Sequence, residues 1–279
     1  MDNSFHYNFH TEPGYVVTFI DLLGFSSAIS CKNTSEPCIG SLYDFRALYE
    51  DIVITYENVT PKEDDVGFLW VSDSIFLTAK IEHIDKLLSE LTDILRRLFI
   101  CNFACSGGIA IGDLYFDCNI WGTAVVNAVQ LEKNERVPRI IVSEQDYQQL
   151  ALYTKKRFSR FQSNDGKYYY QFMTFDTIIE KMLCLGQDAT AVLSSLIEFI
   201  NSNFHACTEN YHKEKWKYLA KELKTTISRY APQIDNSCIE LFDTISAYGE
   251  NPAEPASTIF LSRIDKNLEI GDLYGTSKI

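Results

Sequence analysis

The feature that most constrains this chain is an apolar run at residues 15–22, YVVTFIDL, which contains a single acidic residue, Asp21. The run is rich in β-branched and aromatic residues and is too short for a typical buried helix, so it predicts a buried strand that Gly24 ends. A lone carboxylate at the end of a buried strand costs free energy unless it is paired or binds a cation. The fold must therefore supply a partner for Asp21, unless Asp21 only caps a helix.

A second acidic residue lies at the tip of a predicted hairpin. Residues 66–79 form two β-like halves on either side of Ser72, Asp73 and Ser74. Taken alone, Asp73 is an ordinary turn residue. If the first strand pairs with this hairpin, however, Asp73 and Asp21 converge, and two carboxylates suit divalent ions engaged in chemistry at phosphorus. These two aspartates are the candidate metal ligands.

Helical and β-like patterns alternate along most of the chain, in the order strand, helix, hairpin, helix, strand, helix, strand. This order predicts an α+β fold with helices over one face of an antiparallel sheet, and a ferredoxin-like core is the natural candidate. Helical spacing then dominates up to about residue 230. We predict a lead-in at residues 1–14, one domain at 15–176 and a mainly helical extension at 177–279.

Composition limits the classes of function. The 279 residues carry a formal net charge of -13, which does not suit contacts with the phosphates of long nucleic acids. A small nucleotide whose charge is carried by metal ions remains compatible with it. No apolar run approaches the roughly 20 residues of a membrane span, and the first residues lack a signal-peptide pattern. We therefore expect a cytoplasmic protein without a membrane span.

Four short motifs occur in order between about residues 15 and 150. They are FIDLLGFS at 19–26, VSDSIF at 71–76, NIWG at 119–122 and LEKNERVPRIIV at 131–142. In this order they resemble the two metal-binding elements, the aspartate-isoleucine-tryptophan-glycine element and the helix-to-strand segment of class III adenylyl and guanylyl cyclase domains. The resemblance implies the class III cyclase form of the ferredoxin-like core, an antiparallel sheet with covering helices.

The same resemblance implies how a nucleotide is held. Asp21, Asp73 and the carbonyl of Leu22 match the family's ligands for two divalent ions, Mg²⁺ or Mn²⁺. Asn127 falls at the position of the asparagine that orients the ribose. In this family the metal ligands and the base-reading residues come from opposite protomers, so the resemblance also implies a homodimer with shared active sites.

Phosphate binding follows the motif only in part. The backbone amides of Leu23, Gly24 and Phe25 match those that meet the β- and γ-phosphates in the family. The family's transition-state arginine falls here at Leu131.

Three cations near Leu131 in the sequence are candidates to meet the phosphate charge, although each is also a plausible solvated surface charge. They are Lys133, Arg136 and Arg139.

The base-reading pair departs from adenylyl cyclases as well. Leu69 and Asn119 stand where those enzymes have lysine and aspartate. An asparagine amide offers both a donor and an acceptor, so Asn119 suits the edge of uracil or cytosine, although it is also a common turn residue. Tyr49 is a candidate for narrowing the base pocket against purines, with core packing as its alternative role.

A second resemblance points in the same direction. Residues 107–115, GGIAIGDLY, together with Gly122 and the pair Leu131-Glu132, resemble the cyclase of the Pycsar antiphage systems. That family converts UTP or CTP to cUMP or cCMP as a second messenger. Its pattern commonly has an arginine before the paired glycines, where this chain has Ser106. The resemblance implies a pyrimidine nucleotidyl cyclase, with uridylate slightly favoured over cytidylate.

Three other classes of function are alternatives to a pyrimidine nucleotidyl cyclase. The missing arginine at Leu131 allows a catalytically inactive, cyclase-like nucleotide-binding or regulatory domain. A relative of palm polymerases or diguanylate cyclases is disfavoured because the chain lacks their Gly-Gly-Asp/Glu-Glu-Phe signature and is acidic. A helical scaffold centred on residues 177–279 is the third alternative.

Overall fold

The computed structural model of this chain describes only part of the sequence. The described residues are 12–23, 25, 49–50, 52, 66–100, 103–116, 120–134, 137–156, 158–163, 166–206 and 210–230. Gly24, Asn119 and Arg136, which were assigned roles from the sequence, lie outside these residues.

Within the described residues, eight strands form one sheet. They are β1 (Glu12–Leu22), β2 (Gly67–Val71), β3 (Ser74–Lys80), β4 (Cys105–Phe116), β5 (Ile120–Trp121), β6 (Ile140–Ser143), β7 (Phe158–Gln162) and β8 (Tyr168–Phe172). Their order is β2-β3-β1-β4-β6-β8-β7, with β5 paired to β4. The first four strands thus have the spatial order 2-3-1-4 of a ferredoxin-like core, which confirms the predicted α+β fold.

The helices of the described residues flank this sheet. They are α1 (Ile84–Ile100), α2 (Thr123–Asn134), α3 (Glu144–Leu150), α4 (Thr174–Cys184), α5 (Ala189–Ala206) and α6 (Asn210–Tyr230). The helices α5 and α6 fall within residues 177–279, for which mainly helical structure was predicted, and α4 begins three residues before this region. Over the part of the chain that is described, none of the helices has both the length and the apolarity needed to cross a bilayer.

Two details of the predicted fold are wrong. The sheet is mixed rather than antiparallel, because β4 and β6 pair in parallel and α2 makes the crossover between them. The predicted lead-in at residues 1–14 is also too long, since β1 already begins at Glu12.

Helices cover both faces of the sheet, not one face as predicted. Val16 and Ile20 of β1 belong to the cluster that includes α1 and α4 to α6, whereas Val17 and Phe19 pack with α2. The physical reason lies in the composition of β1. Its apolar run does not alternate with polar residues, so both of its faces need cover. Asp21 is in the same alternating set as Val17 and Phe19, which puts it on the α2 face.

A glycine allows α2 to lie directly against β4. A Cβ atom at Gly108 would stand 2.2 Å from the carbonyl oxygen of Ala128 and 2.8 Å from Cβ of Leu131. Only a residue without a side chain permits such an approach, as the glycines of this strand predicted. The close contact fixes the C-terminal half of α2 over the strand that neighbours β1.

Candidate active site

The structure brings Asp21 and Asp73 to the same end of the sheet. Asp21 pairs with Ser74 of β3, and the amide of Leu22 donates a hydrogen bond to the carbonyl oxygen of Asp73 at 2.9 Å. Ser72 begins the two-residue turn between β2 and β3 with a φ of 58°, the left-handed conformation that tight hairpins require. The hairpin tip is therefore held against the end of β1, as the sequence predicted.

A third carboxylate joins this pair. Asp21 pairs across the sheet with Ser106, whose hydroxyl donates a hydrogen bond to Oε1 of Glu132 at 2.8 Å. Glu132 is in the last turns of α2, where the Gly108 contact holds the helix against β4. The sequence predicts no role for Glu132, because its large separation from Asp21 along the chain hides their proximity.

The charges of Glu132 and Asp73 act on Asp21. The pKa of Asp21 is raised from 3.8 to about 6, first by burial and then by the negative charges of Glu132 and Asp73. The positive charge of Lys215 on α6 acts in the opposite direction. The site thus concentrates negative charge that a bound cation would neutralise.

The chemistry of these donors fits a hard divalent ion. Asp21 and Asp73 offer carboxylate oxygens, which Mg²⁺ and Mn²⁺ prefer. Among the described residues, no three histidine, cysteine or acidic side chains are arranged as a complete set of metal ligands. A Mg²⁺ ion bound at a phosphate usually takes one or two carboxylates, and water and substrate oxygens supply its remaining ligands. The roles of both aspartates and of the Leu22 carbonyl remain predictions.

The residues predicted to bind phosphate have different surroundings in the structure. The amide of Leu23 donates a hydrogen bond to the carbonyl oxygen of Ala104 at 2.8 Å, so it is already engaged and we do not retain it as a phosphate donor. The side chain of Phe25 is buried in the core. Lys133 is exposed in the last turn of α2. Phosphate roles for Phe25 and Lys133 stay predictions.

Two residues near the absent arginine have clear packing roles. Leu131 is buried in the α2 cluster, where its Cβ faces Gly108, so a long charged side chain would not fit there without rearrangement. The guanidinium of Arg139 lies 3.5 Å from the ring centroid of Phe161 and 5.6 Å from that of Tyr218. Arg139 is therefore partly buried, with its guanidinium group over the Phe161 ring and near the Tyr218 ring.

The predicted base-binding residues do not share one face. Leu69 pairs with Phe76, whose ring lies 5.1 Å from that of Phe19 on the α2 face, and this is also the face of Asp21. Tyr49 instead packs edge-on against Trp70 at 5.2 Å, and Trp70 belongs to the α1 face. Because neighbouring residues of a strand point to opposite faces, the structure separates Tyr49 from Leu69 and Asp21.

Glu222 on α6 is buried close to Arg139 and Gln171. Burial raises the pKa of Glu222 from 4.5 to about 8, although the Gln171 side chain and the charge of Arg139 oppose this. Within the described part of the chain, its Oε1 atom is buried without a hydrogen-bond partner. The folded protein therefore favours the protonated carboxyl.

This burial predicts a pH-dependent stability. Since the pKa is higher in the folded than in the unfolded state, the contribution of Glu222 is full below about pH 4.5 and is lost as pH rises through about 8. We expect the free energy of unfolding of Glu222→Gln, measured with urea, to increase relative to that of wild type as pH rises across this window. The expected change is on the order of 4 kcal/mol. Glu198→Gln, at an exposed position on α5, is the control and should show no such trend. A constant difference across the window would contradict the prediction.

Comparisons with known proteins find only distant structural similarities. No family model matches the sequence, and no curated protein matches it significantly. Solved structures that match include the catalytic core of a rhodopsin-guanylyl cyclase with converted specificity in complex with ATPαS, at 16% identity. The match covers 59% of this chain and 97% of that one, with a TM-score of 0.43.

Two further structures match similarly. One is the dimeric guanylyl cyclase domain of the RhoGC fusion protein from Blastocladiella emersonii, at 17% identity over 58% of this chain and 97% of that one, with a TM-score of 0.42. The other is the adenylyl cyclase CyaB from P. aeruginosa, at 15% identity over 58% and 95%, with a TM-score of 0.36. Similarities this low do not indicate an activity for this chain, so the residues of the site are the basis for a proposed function.

Proposed function

We propose that this chain is a class III-type pyrimidine nucleotidyl cyclase. It converts UTP or CTP to the 3′,5′-cyclic nucleotide and pyrophosphate, and it serves as a second-messenger enzyme in antiphage defence. The observation that carries the proposal is the position of Asp21 and Asp73. Asp21 lies near the end of β1 and Asp73 lies in the turn between β2 and β3, at the same end of a ferredoxin-like sheet, where the amide of Leu22 donates a hydrogen bond to the carbonyl oxygen of Asp73. Both aspartates lie in motifs that resemble the metal elements of this family.

The reaction is an internal displacement at phosphorus. The ribose 3′-oxygen forms a bond to the α-phosphorus, the bond from that phosphorus to the bridging oxygen breaks, and pyrophosphate leaves. The proton of the 3′-hydroxyl passes to solvent. Two divalent ions, when bound, supply Lewis-acid activation of the 3′-hydroxyl and neutralise the triphosphate. Asp21 and Asp73 would hold them, with the Leu22 carbonyl as a further ligand.

Preference for a pyrimidine rests on the base-reading positions. Leu69 replaces a lysine and Asn119 an aspartate, so no acidic acceptor for the adenine amino group remains at those positions. Leu69 lies on the same sheet face as Asp21, as a residue lining the nucleotide site would. The amide of Asn119 can serve either uracil or cytosine.

A homodimer is part of the proposal. Asn127, the proposed ribose-orienting residue, is exposed on α2. Nearby, Trp121 and Val126 are 52% and 53% exposed. Large apolar side chains exposed together often mark an interaction surface. A second copy docked there would cover these side chains and bring Asn127 to the neighbouring protomer's nucleotide.

The test is to identify the product from each nucleoside triphosphate. The purified protein is incubated with Mn²⁺ and ATP, GTP, CTP or UTP separately, and the products are identified by mass spectrometry. We expect cUMP or cCMP, with uridylate in the larger amount. Formation of cyclic AMP or cyclic GMP alone would support the proposed cyclase activity and overturn the pyrimidine preference. The absence of a cyclic product from all four triphosphates would overturn the proposed cyclase activity.

One observation favours a second candidate function. Leu131 is buried where the family has its transition-state arginine, so α2 contributes no cation at that position. A cyclase-like domain that binds a nucleotide without cyclising it would share every other feature of the site. Nucleotide binding measured by calorimetry, together with a negative product assay, distinguishes this regulatory role from the enzyme.

A further inference from the structure

A buried hydroxyl stands next to Asp21 in the sheet. Ser106, near the start of β4, is 4% exposed and is the direct antiparallel partner of Asp21 on β1. Residues opposite each other on two antiparallel strands carry their side chains on the same side of the sheet, with Cβ atoms about 4.5 to 5.5 Å apart. The Ser106 hydroxyl and the Asp21 carboxylate are therefore neighbours on the α2 face.

The hydrogen atom of this hydroxyl is already engaged. Ser106 donates it to Oε1 of Glu132 on α2, at 2.8 Å. Among the residues that the structure describes, the hydroxyl has no second hydrogen-bond partner. A serine oxygen has two lone pairs besides its one hydrogen, and donation to a carboxylate polarises it further. Both lone pairs are therefore left for an electron-pair acceptor, and no hydrogen is shared with Asp21.

The spacing of the two side chains suits a shared cation. Mg²⁺ holds six oxygens at about 2.1 Å, so adjacent ligands of one ion are about 3 Å apart. Side chains whose Cβ atoms are about 5 Å apart bring their oxygens to that separation in ordinary rotamers. Two neighbouring electron-rich oxygens without a hydrogen between them repel each other, and a cation bound to both removes that repulsion.

We propose that Ser106 binds, through its Oγ atom, the divalent ion that Asp21 binds. This inference rests on the proposed function and adds a neutral ligand to its metal site. Hard divalent ions such as Mg²⁺ and Mn²⁺ take neutral oxygens alongside carboxylates. Glu132 has a separate task in this arrangement, because it accepts the hydroxyl hydrogen and so keeps it away from the ion. The helix α2 thus contributes to the metal site through Ser106.

The first experiment measures binding of Mn²⁺ alone to the full chain, without nucleotide, from the electron paramagnetic resonance signal of free Mn²⁺. We expect Ser106→Ala to weaken Mn²⁺ binding by about tenfold, because the ion loses one protein ligand. Ser106→Thr keeps a hydroxyl and should restore part of the affinity. Asp21→Asn identifies the site and should bind Mn²⁺ more weakly than Ser106→Ala. Thermal melting checks that each variant is folded.

Ser106→Cys separates a metal ligand from a residue that only packs. A thiolate is a soft ligand, so it favours Cd²⁺ over Mn²⁺. We expect Cd²⁺ to displace Mn²⁺ from Ser106→Cys at a concentration about tenfold lower than from wild type. Only released Mn²⁺ is measured, so cadmium bound by the native cysteines does not contribute. Ser159→Cys, at an exposed position on β7, is the matched control and should behave as wild type does.

Two results would overturn the inference and leave the proposed function standing. One is wild-type Mn²⁺ affinity in a folded Ser106→Ala variant while Asp21→Asn is impaired. The other is equal sensitivity of Ser106→Cys and Ser159→Cys to Cd²⁺, which indicates a structural role for Ser106. A wild-type chain that binds no Mn²⁺ also overturns the inference. If Mn²⁺ binding depends on Ser106 and Asp21 but no cyclic product forms, only the proposed function fails.

Discussion

Asp21→Asn should reduce cyclic nucleotide formation by about 10³-fold or more, and Asp73→Asn should do the same. An amide has the shape of a carboxylate but not its charge, so it binds Mg²⁺ or Mn²⁺ far more weakly. The proposed reaction depends on those ions for activation of the 3′-hydroxyl and for charge neutralisation. The rate is measured as product formed from UTP with Mn²⁺, at saturating substrate.

The same variants should remain folded. At about pH 8 the Asp21 carboxylate is ionised against burial and against the charges of Glu132 and Asp73, so an uncharged amide removes a repulsive interaction. We therefore expect the melting temperature of Asp21→Asn at that pH to equal or exceed that of wild type. Asp113→Asn, on β4 toward the opposite end of the sheet, is the control and should keep its activity. Substantial cyclisation by Asp21→Asn and by Asp73→Asn would refute the metal assignment.

Local patterns were sufficient to predict much of the fold. The apolar run of β1 and the serine-flanked turn at Asp73 each specify their structure within a few residues. Once these elements are placed in a ferredoxin-like order, the convergence of the two aspartates follows. The glycines of β4 likewise predicted the close approach of α2, which Gly108 allows.

What the sequence did not reveal depends on contacts between distant segments. Glu132 joins the site only because α2 packs on β4 and a hydrogen bond links it to Ser106. The positive charge of Lys215 acts on Asp21 only because α6 packs against the sheet. Periodicity describes one element at a time, so it carries no signal for either residue. Strand alternation, by contrast, puts Leu69 and its neighbour Trp70 on different faces of the sheet. Tyr49 would therefore have been separated from Leu69 once its contact with Trp70 was known.

The attachment of α6 to the rest of the fold depends on a buried carboxylate on α4. Asp176 is fully buried, accepts a hydrogen bond from Thr226 at 2.7 Å and pairs with Arg229, and both partners belong to α6. Asp176→Ala should lower the free energy of unfolding by about 3 kcal/mol, because it leaves the Thr226 hydroxyl and the Arg229 charge without this acceptor. Arg229 is 39% exposed, so water compensates part of the loss. Urea unfolding measures the difference.

The exposed ion pair between Arg160 and Glu144, at 2.7 Å, supplies the control. Glu144→Ala should cost at most about 1 kcal/mol because both partners are solvated. Asp176→Asn should fall between wild type and Asp176→Ala, since an amide oxygen still accepts from Thr226 but no longer pairs with the charge of Arg229. A loss in Asp176→Ala no larger than that in Glu144→Ala would show that this contact does not hold α6.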